Sequence, residues 1–148
     1  QRGDLERFFN RSPEAYGEWI TDSIAEQAEM ALIDLIELSQ NQRVVADVQI
    51  PLAYLTRIAD YRQVVLLVAE PEMIVENYFA RGDKQQVYAY IMSMSDPQAT
   101  LENVREALRF AAVPLDVYRN SGFKCIARDS SRSIEETLSM IERHFGLK

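Results

Sequence analysis

Gln63-Val64-Val65-Leu66-Leu67-Val68-Ala69 decides how the chain folds: six of its seven residues are apolar, none is charged and three are valine. A short continuous apolar run suits a strand covered on both faces, as in a parallel sheet, better than a half-solvated strand of alternating polarity. Glu70-Pro71-Glu72 follows at once and opens a helix, because proline fits the first helical position and acids favour its positive end. That helix carries Met73, Ile74, Tyr78 and Phe79 until Gly82 interrupts it. Upstream, Arg43-Val44-Val45-Ala46-Asp47-Val48 is a second β-branched run without alternation, which predicts a strand over 44–48. Pro51 stops it and leads into a short helix over 51–58 with Leu52, Leu55 and Ile58 facing inward. Downstream, the turn Asn120-Ser121-Gly122 precedes a third strand over 123–127.

The helical stretches flank these runs. Ser12-Pro13-Glu14 caps and starts a long amphipathic helix over 13–39, along which Trp19, Ile20, Ile24, Ala28, Leu32, Leu35 and Ile36 recur at spacings of three and four. Residues 83–96 have a weak helical pattern ending at Asp96-Pro97, and 80–99 reads as a lid segment. A third long helix is predicted over 100–118, kinked or shortened at Pro114. Ser131 or Ser133 caps the last helix, with Glu136 at capping-box spacing from Ser133 and a buried stripe of Ile134, Leu138, Ile141 and Phe145. Strands alternating with helices predict a single α/β domain over 1–148, a parallel sheet with helices on both faces. Ligands of such sheets bind beyond the carboxyl ends of the strands, here 47–50, 70–72 and 128–131.

Composition narrows the function. A net charge of −7 over 148 residues argues against a broad nucleic-acid or anionic-membrane surface, which needs clustered cations. Only Lys84, Lys124 and Lys148 among the 16 cationic residues are lysines; arginine's planar fork suits carboxylate and phosphate, although arginine richness also follows genome composition. No stretch approaches the roughly 18 apolar residues of a membrane span. No signal peptide is evident either, so the cytoplasm is the expected location. Cys125 is the sole cysteine and reads as a small core residue; His144 is the sole histidine and, near a helix end, complements the helix dipole. Cysteine–histidine catalysis and thiolate or imidazole metal clusters therefore lack material.

Three places could carry chemistry. Asp47 closes an apolar run, where an acid is costly to bury unless it meets a cation, a magnesium-bound water or backbone donors; the plainer reading is a strand-end acid capping the next turn. Arg81-Gly82-Asp83-Lys84 is a candidate phosphate clamp, and a solvated helix end would look the same. Arg128-Asp129-Ser130-Ser131, directly after the last strand, could shape a base or phosphate pocket, though arginines flank many helix caps.

The order of these elements resembles that of the P-loop kinases that phosphorylate nucleosides, nucleotides and other small molecules. Val44-Val45-Ala46-Asp47-Val48 is similar to their Walker B strand, which would put Asp47 near magnesium, through a water, or near the phosphate acceptor. Phe79-Ala80-Arg81-Gly82-Asp83-Lys84 resembles the approach to their lid, with Arg81 and Lys84 clamping the transferring phosphate. The run from Cys125 through Arg128, Asp129 and Ser130 to Glu136 looks like their last strand, adenine-side loop and closing helix, so that these three loop residues would serve the nucleotide. The resemblance implies ATP and Mg2+ as cofactors and a small-molecule acceptor, with self-association left open. It lacks one part: the chain contains no GxxxxGK[ST] loop. In that family the strand before the loop lies between the strands corresponding to 44–48 and 64–69. Without it two rows of backbone groups need partners, from an upstream segment, from direct pairing of the two strands, or from a second chain. A noncatalytic regulatory or interaction domain is the alternative function. A CheY-like receiver would need a pair of acids after its first strand and a lysine after its last, where this chain has Arg128.

Overall fold

The structure, a computed structural model, describes residues 2–129 and 131–147. Its core is built by helices. α1 (Arg2–Phe9), which the periodicity above did not single out, is followed by α2 (Pro13–Ser39), whose N-terminus is capped by Ser12 Oγ accepting from Ala15 N at 3.3 Å. α3 (Leu52–Ile58) leads to β1 (Val65–Val68), then come α4 (Pro71–Asn77), α5 (Gln85–Ile91) and α6 (Pro97–Ala111). α7 (Leu115–Arg119), β2 (Lys124–Ala127) and α8 (Ile134–His144) complete the chain. The main buried cluster is Tyr16, Ile91, Met94, Leu101, Val104 and Ala107, with no strand residue in it. Ile91 and Met94 belong to 80–99, so the segment expected as a lid supplies part of this core.

α2 and α6 form the most extensive pairing of elements, and Gly17 sets their closeness. A Cβ there would stand 2.5 Å from Phe110 Cδ1 and 3.1 Å from both Phe110 Cβ and the Ala107 carbonyl oxygen. The Phe110 ring can turn away, but its Cβ and the α6 backbone cannot. Overpacking costs about 1–3 kcal/mol, while alanine's better helix propensity returns at most about 1. Gly17→Ala should therefore lower the urea midpoint at unchanged slope; a midpoint equal to or above that of the parent would show that the helices part freely.

Tyr16 is 6% exposed and packs edge to face against Phe8 at 5.3 Å and Phe9 at 6.1 Å. Burial, helped by Tyr78 and opposed by Arg11, pushes its phenol up to about 12 from the ordinary 10.0. Because the folded value lies above the unfolded one, this contribution is complete below pH 10 and drains away as pH rises towards 12. A shift of that size is worth up to roughly 3 kcal/mol. Thermal midpoints should fall across this window and fall less steeply for Tyr16→Phe; identical slopes would contradict the assignment.

The sheet differs from expectation. It has two strands, β1 and β2, parallel, with Val65 opposite Lys124 and Val68 opposite Ala127. The ladder is extended by Arg128 N donating to Val68 O at 2.7 Å. A parallel sheet covered by helices on both faces is therefore overturned: most of the chain is helical and its main core lies between helices. The expected strand over 44–48 is also corrected. Residues 43–50 have no regular secondary structure, and among the described residues no backbone hydrogen bond involves them. Val45 is 63% and Val48 45% exposed. The physical reason is that a strand exists by pairing, and no neighbour offers this run its backbone groups. Nor have 44–48 and β1 closed up on one another. The predicted helix over 100–118 is likewise divided, because Ala112 is extended and Pro114 caps α7, where its missing N–H does no harm.

Candidate functional site

α8 shows how the ends of these segments align. Ser133 Oγ accepts from Glu136 N at 3.1 Å while Glu136 Oε2 accepts from Ser133 N at 2.7 Å, a reciprocal cap that starts the helix just beyond the loop after β2. Eleven residues carry α8 about 16 Å back along the molecule. At its far end Arg43 Nη2 donates to Phe145 O at 2.6 Å, and His144 Nε2 lies 2.9 Å from Tyr61 O. The carbonyl only accepts, so this ring nitrogen carries the proton. One helix end thus holds the beginnings of both the 43–48 segment and the chain entering β1.

From Arg43 the segment continues to Val48 without regular secondary structure. There Val48 and Gln49, with Ile24, Gln27 and Ala31 of α2, line a depression of about 170 Å³. Asp47 immediately precedes Val48 on this segment. Arg128 and Asp129 follow the carboxyl end of β2, beside Glu70 at the carboxyl end of the parallel strand β1.

Each expected residue can now be located. Asp47 is exposed, and no hydrogen bond or ion pair of its carboxylate occurs among the described residues. Arg81 is turned inward on its own loop: Nε and Nη2 each donate to the Asp83 carboxylate at 3.0 Å, and Lys84 Nζ reaches it at 3.3 Å. Desolvation pushes the Asp83 carboxyl up, but hydrogen bonds from Arg81 and Lys84 outweigh it and hold the group below the usual carboxylate range. Lys84 Nζ also lies 5.6 Å from the Tyr78 ring. Seven residues of α4 and a 3-10 turn separate this cluster from Glu70 along the chain. Arg128 is exposed. Asp129 is engaged locally, its Oδ1 accepting from Ser131 N at 3.0 Å and Ser131 Oγ at 2.5 Å, and these bonds hold its carboxyl low. Ser130 lies outside the described residues.

No matching family model, curated protein or solved structure was found. The chain's own geometry therefore carries the functional reading. Among the described residues no group of three or more acidic, histidine or cysteine side chains could hold a metal ion. A magnesium ion bound to ATP brings phosphate and water ligands and asks the protein for one or two carboxylates, a demand the open Asp47 fits. The depression beside Val48 is smaller than the roughly 300–1,000 Å³ of small-molecule pockets. A second hollow is bordered by Asp34, Glu37, Leu38, Asn41 and Gln42, and its two acids oppose phosphate. Arg43 and His144 passed unnoticed in the sequence as anchors; their tie is tertiary, and only the helix-end position of His144 hinted at it. Among the described residues no helix is long and apolar enough to cross a membrane.

Proposed function

We propose that the chain serves ATP-dependent phosphoryl transfer to a small molecule in a P-loop kinase-like way, with the phosphate-binding loop supplied by polypeptide outside this chain. The observation that supports this reading is the common anchor: the end of α8 holds both Arg43, at the start of the segment that carries Asp47, and Tyr61, just ahead of β1. Asp47 would face the magnesium-bound water or the acceptor hydroxyl, and Arg128 the nucleotide base. Arg81 and Lys84 clamp phosphate only after leaving Asp83, which an incoming anion can drive because exposed ion pairs are weak. Calorimetric titration of MgATP into the full-length native protein tests this. Saturable binding there, with none to the isolated chain, is expected; absence of binding to the full-length protein would refute it.

A noncatalytic interaction domain is favoured by a different observation. Val45, Val48, Leu67, Ile134 and Leu138 are between 45% and 83% exposed, an unusual amount of apolar side chain to leave in water. Such a domain would keep its protein partner through Asp47→Ala and Arg81→Ala.

A further inference from the structure

Gly17 and the buried Ala28 are about three helical turns apart and share the face of α2 turned to α6. Met30 and Ile33 stand about 160° and 140° round the helix from Ala28, so they point away from α6. With Ile36 they form an apolar stripe at spacings of three, and these side chains are 70%, 66% and 62% exposed. α2 also carries seven acidic residues and no lysine, arginine or histidine. All seven are exposed, and among the described residues none forms an ion pair. Glu29 accepts a hydrogen bond from the neutral Tyr54 hydroxyl at 3.0 Å. No basic residue complements the helix dipole in the last turn of α2, where Glu37 and, one turn earlier, Asp34 border a hollow.

We infer that this face of α2 docks a basic amphipathic helix of a partner protein. The partner's apolar residues lie on Met30, Ile33 and Ile36, its lysines or arginines meet the flanking acids, and one cation enters the hollow at Asp34 and Glu37. Charge complementarity chooses this occupant. A second copy would set seven acids against seven with no base between them, and an anionic lipid surface is repelled in the same way. An uncharged helix would cover the stripe but desolvate the acids without a counter-charge. None of these residues takes part in the proposed phosphoryl transfer, so docking and transfer can fail separately.

The probe is a fluorescein-labelled peptide of about 15 residues, with leucine recurring at spacings of three and four and lysine elsewhere. Anisotropy is read with the full-length native protein and with the chain alone. Saturable binding to both is expected, weakening as salt rises and absent when glutamate replaces lysine. Ile33→Ala should weaken binding about tenfold, and Glu37→Gln about threefold with a flatter salt dependence, both at the parent's thermal midpoint. Ile134→Ala, which truncates an exposed isoleucine of α8, should leave binding unchanged. No saturable binding, equal affinity for the same residues in scrambled order, an undiminished affinity of Ile33→Ala, or a dimer of the chain that excludes the peptide would each overturn the inference. So would binding by the chain alone that the full-length protein lacks, because that protein's own polypeptide would then cover the face.

Discussion

Asp47→Ala should lower MgATP-dependent phosphoryl transfer by the full-length native protein about 100-fold or more, the range over which a single acid–base or charge-positioning group acts. The site makes this a clean experiment. Asp47 is exposed on a segment that makes no backbone–backbone hydrogen bond among the described residues, so its removal should move the folding free energy by no more than about 0.5 kcal/mol. Loss of turnover at an unchanged unfolding midpoint would then report on chemistry and not on folding. Arg128→Ala should act differently, raising the MgATP concentration needed while largely preserving the maximal rate, as expected of a group that meets the base and not the reacting phosphate. Retention of full turnover by Asp47→Ala would remove the acid from the proposed mechanism.

Ile91→Ala should cost about 2–5 kcal/mol, the range for emptying a buried branched side chain. Ile91 is 0% exposed and touches the cluster from which α2, α5 and α6 are assembled. At about 2–4 °C per kcal/mol for a domain of this size, the thermal midpoint should drop by roughly 5–15 °C. Ile134→Ala is the internal control: that side chain is 83% exposed, and its truncation should change stability by less than about 0.5 kcal/mol. Similar losses at both positions would mean that α8 packs far more closely than the structure shows.

These two isoleucines also show what a sequence conveys. Periodicity placed Ile134, Leu138, Ile141 and Phe145 on one face of a capped helix, and α8 forms with the Ser133–Glu136 box as expected. Periodicity reports what a face prefers, not whether a partner is present, and Ile134 and Leu138 remain in water. The same distinction explains the strands. Val64 to Ala69 and Phe123 to Ala127 were legible as strands because each finds the other, whereas the equally β-branched run at 44–48 finds no neighbour and stays unpaired. Local chemistry was readable wherever it depended on residues close in sequence, as at Ser12, Pro71 and Ser133. At 81–84 the spacing suggested a clamp but did not show that Asp83 would occupy both Arg81 and Lys84. The ties of Arg43 to Phe145 and of His144 to Tyr61 join distant segments, information that no local pattern holds.

Amide hydrogen exchange of the free chain, resolved by residue, most directly tests whether β1 is paired on one side only, with β2. Leu66 and Val68, which address β2, should exchange slowly, while Val65, Leu67 and the amides of 44–48 exchange near the unprotected rate. Protection at Val65, Leu67 and 44–48 equal to that at Leu66 and Val68 would contradict it, because those donors would then already have partners within the chain.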